Sequence, residues 1–230
     1  MILAVLQARM SSTRLPGKVL RPLLGTPMIG RQIERLRACE TLDRLVVATS
    51  LHASDDQLAA YCESLGVRVF RGSLSDVLGR FAGAVAAFGP ADHVVRLTAD
   101  CPLTDPLIVD QAVRLHLARG VDYTSNALRR TYPDGLDVEV VRASALAAAQ
   151  AEATTAHDRE HVTPFINTQP YRFSQADLLQ SPDRGALRWT VDTAEDFAFA
   201  EEVYAALDGI DRCWGQHDVL ALPFGAREAA

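Results

Sequence analysis

The sequence predicts an α/β fold, one domain built on a mostly parallel sheet covered by helices. Three observations carry this expectation. Short apolar runs such as residues 2–6 (ILAVL) read as strands buried on both faces. Segments with apolar residues three and four apart read as helices that bury one side. The two types alternate strictly through residues 1–120, and strand–helix–strand connection makes neighbouring strands parallel.

The elements follow in order. After residues 2–6 comes a polar segment, residues 7–18, then a helix after Pro27 with Ile29, Ile33 and Leu36 on one face. Residues 44–49 (RLVVAT) form a second strand, residues 55–65 a helix and residues 67–70 a third strand. Residues 75–88 read as a helix with Val77, Leu78, Phe81 and Val85 as its stripe, and residues 93–98 (HVVRLT) as a fourth strand. Asp105-Pro106 opens the next helix, Asp as N-cap and Pro at the first helical position. The rhythm then changes. Residues 137–141 (DVEVV) alternate like a half-exposed strand, residues 143–153 and 158–168 read as helices, residues 187–191 (LRWTV) as a strand and residues 193–207 as a helix. No linker interrupts the chain. It reads as a single domain over residues 1–230, with a nucleotide-binding half (1–120) and an acceptor-binding, metal-completing half (121–215).

The net charge of −6 argues against general nucleic-acid binding, which needs a basic surface. It leaves room for a single nucleotide held by a few local cations. Cys39, Cys62, Cys101 and Cys213 show no CxxC spacing, so neither a zinc site nor a redox motif is indicated. No stretch approaches the roughly 20 apolar residues that span a bilayer, and the N-terminus lacks the layout of a signal peptide. The expectation is a soluble cytoplasmic protein with free thiols and no membrane partner.

Open parallel sheets bind ligands at the carboxyl ends of their strands. The segment after the first strand is the richest there: it carries Arg9, Arg14 and Lys18, with Ser11, Ser12 and Thr13 between them. Hydroxyls, backbone N–H groups and several cations are what a triphosphate requires, and cations on the β- and γ-phosphates stabilise departing pyrophosphate. This is not a P-loop, since Ser12 stands where the first Gly belongs and Val19 follows the Lys. Nor does a G-x-G-x-x-G follow the first strand.

The stretch QARMSSTRLPGKVL resembles the signature loop of the CMP-sugar synthetases, the cytidylyltransferases that activate Kdo and sialic-type acids. GSLSDVLGRF, RLTADCPLTDP, SNALRRTYPDGLDVEV, DREHVTPFI and RWTVDTAEDF extend the resemblance in order to about residue 200, most strongly toward the SpsF branch of spore coat polysaccharide biosynthesis. It implies a three-layer nucleotidyltransferase fold of the glycosyltransferase-A-like type, CTP and a sugar or sugar-acid acceptor as substrates, and a homodimer.

Asp100 and Asp192 each end a strand of this reading. Magnesium prefers hard oxygen ligands and takes one or two carboxylates beside substrate phosphates. The resemblance puts the metal-binding aspartates at these two positions, and Mg2+ is the cofactor it implies. Asp192 can instead cap the following helix, a job that Thr193 with Asp196 three residues on can also do. Asp100 can be an acidic residue before a turn at Pro102. Arg14, Lys18 and Asp100 are the catalytic candidates.

Thr49, Arg71, Ser73, Asp76 and Thr98 lie at or after strand ends and, by the resemblance, contact base and ribose, completing a nucleotide site whose triphosphate is held by the loop of Arg9, Ser11, Arg14 and Lys18. Thr98 stands where some relatives carry glutamine. Ser73 and Ser75 can also cap a helix before Asp76. Asp134, Asp137 and Glu139, with Arg159 and His161, resemble segments that face the acceptor. The carboxylates suit sugar hydroxyls, and Arg159 or His161 suits an acceptor carboxylate or phosphate. Asp134-Gly135 is equally an ordinary turn and His161 equally a structural histidine.

Two other functions remain open. A glycosyltransferase of related fold would consume a nucleotide sugar, but its Asp-x-Asp metal motif is missing at Asp100-Cys101-Pro102. A nucleotide-binding protein without turnover would need neither both aspartates nor all three cations.

Overall fold

The computed structural model describes residues 1–210 and 213–228. Strands β1 (Ile2–Gln7), β4 (Arg44–Ser50), β5 (Arg68–Gly72) and β6 (His93–Thr98) alternate with helices α1 (Met28–Leu36), α2 (Asp56–Ser64), α3 (Val77–Phe88) and α4 (Pro106–Arg119). A two-residue hairpin, β2 (Pro22–Leu23) with β3 (Thr26–Pro27), precedes α1. The second half adds β7 (Tyr123–Ser125), β8 (Glu139–Arg142), α5 (Ala143–Glu152), α6 (Ala156–His161), α7 (Pro164–Asn167), β9 (Gln175–Asp177), α8 (Ala194–Ala206) and α9 (Gln216–Ala221). The sheet order is β5-β4-β1-β6-β8-β7-β9, and β8 alone runs against the rest.

The pleat of β1 shows why there are three layers. Ala4 and Leu6 point into a core with Ile29 and Ile33 of α1, Leu58 of α2, Val109 of α4 and Val203 of α8. Leu3 and Val5 point the other way, into a core with Val77, Leu78 and Phe81 of α3 and Leu146 of α5. A strand buried on both faces has no room for polar alternation, which is why residues 2–6 are uniformly apolar. Asp105 caps α4 by accepting from Leu107 N, and Gly120 ends it at φ 62, a conformation that favours glycine.

Three expectations need correction. Residues 187–191 form no ladder strand. Leu187, Trp189 and Val191 are buried as the alternation requires, yet Trp189 N and Thr190 N both donate to Asp134 O while Val191 N donates to Asp100 O at 2.8 Å. The segment passes between two neighbours, making only single bridges at Arg188 and Leu187. The helix expected over residues 158–168 is two short helices, because Pro164 has no N–H for a continuing helix and instead starts α7 at its first position. The strand at residues 137–141 begins at Glu139 and is buried rather than half-exposed, since Val140 packs into the core on one face of the sheet and Val141 into the core on the other. The three-residue β7 and β9 carry too little pattern to be read from sequence.

Candidate active site

Backbone pairing brings the two carboxylate-bearing segments together. Asp100 follows β6, and its carbonyl accepts from Val191 N at 2.8 Å, one residue before Asp192. Thr193 is the N-cap of α8, in a reciprocal capping box with Asp196, so the Asp192 side chain is left to other partners. Lys18 fills the space between the carboxylates. Its ammonium donates to Val191 O at 2.7 Å and to Asp192 Oδ1 at 3.0 Å, and lies 3.8 Å from Asp100 Oδ2. Arg14 reaches Asp192 Oδ2 at 2.8 Å, and Arg188 reaches the same oxygen at 2.9 Å. Burial pushes the Asp192 carboxyl up, but the bonds and charges of Lys18, Arg188 and Arg14 outweigh it and hold the group below the usual carboxylate range.

The loop over residues 7–18 is folded by its own backbone and by one distant carboxylate. Ser12 N and Gly17 N both donate to Met10 O, and Gly17 turns the chain at φ 72. Met10 N donates to Asp55 Oδ1 at 2.8 Å. The other Asp55 oxygen accepts from Thr49 Oγ1, Ser50 N and Ser50 Oγ. Burial raises the Asp55 carboxyl, but these bonds more than offset it and keep it low and charged.

The result is a cleft of about 360 Å3 at the carboxyl ends of β1 and β6, lined by Arg9, Arg14, Lys18, Asp100, Asp192 and His161 together with Ser12, Thr13 and Thr98. Thr98, Ala99 and Asp100, at and after the end of β6, form part of its wall, and Lys18 stands between its two carboxylates. A triphosphate with a divalent cation matches that arrangement in charge and shape. Ser11 is exposed and lies outside the lining.

Of the expected base-and-ribose residues, Thr98 lines the cleft, while Thr49, Arg71, Ser73 and Asp76 are bonded to one another or to the rest of the protein. Thr49 is fully buried on Asp55. Arg71 donates to Ser50 O and His52 O and pairs with Asp56 at 2.6 Å. Ser73 Oγ accepts from Asp76 N, and Asp76 in turn caps α3 through Gly79 N. Asp76 also receives the Arg159 fork at 2.8 and 2.6 Å, and that bond is the main reason its carboxyl sits below the ordinary value. A residue expected at the nucleotide and one expected at the acceptor therefore meet each other.

Of the other expected acceptor residues, Asp137 and Glu139 line a smaller cavity of about 140 Å3 with Arg96 and Thr98, so Thr98 borders both spaces. Arg130 forks onto Asp137 at 2.6 and 2.7 Å. Glu139 accepts from Arg96, from Tyr123 and from Thr163 at 2.7 Å. Its burial raises the carboxyl, and the Arg96 charge and these bonds bring it below its usual value. Asp134 lies outside both linings, bound to Arg188 at 2.8 Å. Burial, then the neighbouring Asp137 charge, lifts its carboxyl. His161 stands in the larger cleft with the loop cations, not in the cavity with Asp137 and Glu139.

Two positions that organise the site escaped the sequence reading. Asp55 reads locally as the start of a helix, and Arg188 as one residue of a strand. Nothing in local spacing tells that Asp55 ties the loop, or that Arg188 connects Asp134, Asp192 and Asp196.

Residues 3–208 match the cytidylyltransferase family. The chain is 39% identical over 213 residues to the spore coat polysaccharide biosynthesis protein SpsF of Bacillus subtilis strain 168, covering 88% of this chain and 86% of that one. A cytidylyltransferase structure from Leptospira borgpetersenii serovar Hardjo-bovis strain JB197 superposes with a TM-score of 0.85 at 32% identity, over 89% of this chain and 87% of the other. CMP:2-keto-3-deoxy-manno-octonic acid synthetase in complex with CTP shares the fold, with a TM-score of 0.65 at 16% identity over 89% and 98% of the two chains. The chain belongs to the cytidylyltransferase family and is a CTP-dependent nucleotidyltransferase.

Proposed function

We propose that the enzyme transfers CMP from CTP to a sugar or sugar-acid hydroxyl with release of pyrophosphate, for a surface polysaccharide, and that Asp100 and Asp192 hold Mg2+ during the reaction. The observation that carries this reading is the convergence of Lys18 on both carboxylates, at 3.0 and 3.8 Å, beside Arg14 and Arg9 in one cleft. Two carboxylates near enough to share one ammonium are near enough to share one small cation, and their oxygens are the hard donors that Mg2+ takes. When bound, the ion supplies charge neutralisation at the phosphates and lowers the pKa of an attacking hydroxyl.

The side chains do the rest by position. Arg9, Arg14 and Lys18 bind the triphosphate, with Ser12 and Thr13 alongside. Lys18 and Arg14 turn from Asp192 to the β- and γ-phosphates and hold the charge that develops on the leaving group. The acceptor approaches from the side of Asp137 and Glu139, and Thr98, which borders both spaces, stands where acceptor and nucleotide meet. The acceptor oxygen attacks the α-phosphorus, the bond to the bridging oxygen breaks, and pyrophosphate leaves without a covalent enzyme intermediate. The cytoplasm suits the four free cysteines. No helix among the described residues is long and apolar enough to cross a membrane. A homodimer rests on the family resemblance.

The test is pyrophosphate release with Mg2+, with CTP, UTP, GTP, ATP and dTTP assayed separately against acidic, amino and phosphorylated sugars. Release that requires both CTP and one acceptor supports the reading. Release with a triphosphate other than CTP, or independent of any acceptor, counts against it.

A further inference from the structure

On either side of His161 the chain is held by Arg159, Val162 and Thr163. Arg159 forks onto Asp76 and donates to Gln150 O at 3.1 Å. Thr163 donates from its hydroxyl to Glu139 at 2.7 Å. Val162, almost fully buried, sits at φ 73 and ψ −54, and Thr163 N donates across it to His161 O at 2.9 Å. That is a tight turn of three residues in a conformation rarely adopted, more so by a β-branched side chain. Strain of this kind persists only where the surroundings impose it, and it concentrates at binding and catalytic sites.

The locked segment presents one ring to the cleft. His161 is the residue of α6 that lines the space shared by Arg9, Arg14, Lys18, Asp100 and Asp192. Its ring packs against His157 with centroids 4.6 Å apart and makes no hydrogen bond among the described residues. It also comes from the other side of the sheet. Ala8 and Val19, which flank the phosphate loop, belong to the core on one face, and Val162 belongs to the core on the other. The loop and α6 therefore approach the ends of β1 and β6 from opposite faces.

Charge gives the ring its task. Three cations and two carboxylates line the cleft, a surplus of one positive charge. A triphosphate brings about four negative charges and a divalent cation offsets about two of them. One negative charge remains for a donor outside the loop. We infer that His161 is a ligand of the CTP triphosphate, donating from its ring to a phosphate oxygen from the wall facing the loop. This rests on the functional reading above and moves His161 from the acceptor to the nucleotide.

Calorimetric titration with CTP and with CMP in Mg2+ tests it, the weaker nucleotide being measured by competition, and no acceptor is needed. His161→Ala weakens CTP binding about tenfold or more, as loss of a charge-assisted bond does, and changes CMP binding by less than about twofold. His161→Gln, which keeps an N–H donor, recovers part of the CTP affinity. Equal CTP affinity in wild type and His161→Ala overturns the assignment, whether or not turnover is lost. So does an equal loss for CTP and CMP, which marks a displaced segment rather than a lost phosphate contact. Wild-type protein that binds no CTP sinks the functional reading itself, and the assignment falls with it.

Discussion

Lys18 and Asp192, 174 positions apart in the chain, are joined by a 3.0 Å hydrogen bond between ammonium and carboxylate. The lysine is buried to 8% exposure, and such a charge is retained only where it is paired. The bond keeps the carboxylate charged and aimed into the cleft before any substrate arrives. A metal ion held by Asp100 and Asp192, as proposed, would compete with Lys18 for the same oxygens.

Replacing Lys18 with Met separates these roles. Turnover falls on the order of 10²-fold or more, because a donor to the leaving group is gone. Affinity for Mn2+ alone, read by electron paramagnetic resonance, rises, because Asp100 and Asp192 lose their shared counter-charge. Asp100→Ala loses both turnover and metal affinity while its melting temperature stays close to wild type. A Lys18→Met protein with weaker Mn2+ binding contradicts the shared-oxygen argument.

Arg159 and Asp76 couple the segment that carries His161 to the start of α3. The fork is partly exposed, so solvent screening lowers its worth to about 1–2 kcal/mol. Urea unfolding of Arg159→Ala, Asp76→Ala and the double variant measures it: the two single losses should exceed the double loss by about that coupling. Strict additivity would mean that the pair contributes no interaction of its own.

What was legible in the sequence follows from locality. That the loop over residues 7–18 and Asp100 share one cleft could be read because each directly follows an apolar strand, and a strand end marks the ligand side of a parallel sheet. Asp192 could be read by type but not by role, since Thr193 and Asp192 compete for the same cap. The structure decides for Thr193, whose capping box with Asp196 is complete. Asp55, Arg188 and the break at Val162 were out of reach because their partners lie far along the chain or in a turn without a composition signal. Arg71 and Thr49 show the converse: strand-end position suggested ligand contact, while their polar atoms serve the protein.

Gly135 fixes the turn that receives residues 187–191. It has φ 112, and a Cβ there would overlap Thr190 N and the Trp189 carbonyl carbon. Those atoms belong to the segment that delivers Asp192, and Trp189 N and Thr190 N both bond to Asp134 O beside the turn. Gly135→Ala should cost roughly 3 kcal/mol through backbone strain and displacement. Residual folded protein should turn over more slowly than its concentration accounts for, because Asp192 moves with its segment. Unchanged turnover per folded molecule would show that the Asp192 position does not depend on this turn.

Asp55 gives the pH dependence of the loop. Its folded carboxyl lies below its ordinary value, so its contribution to stability is complete above the unfolded value of about 3.9 and disappears as pH falls through the lower, folded one. Asp55→Asn replaces one accepting oxygen with a donor that faces Met10 N or the Thr49 and Ser50 groups, all of which already donate. At neutral pH that costs roughly 2–4 kcal/mol, a lost charged acceptor plus donors left buried without one. As the pH falls below about 4, the unfolded chain takes up a proton at Asp55 before the folded protein does, and the gap between the two proteins should narrow. Urea unfolding at pH 7 and in steps down to pH 3 reads the difference directly. A gap that stays constant over that range would mean that the charge on Asp55 does not hold the loop, and that the asparagine is harmful only through its shape.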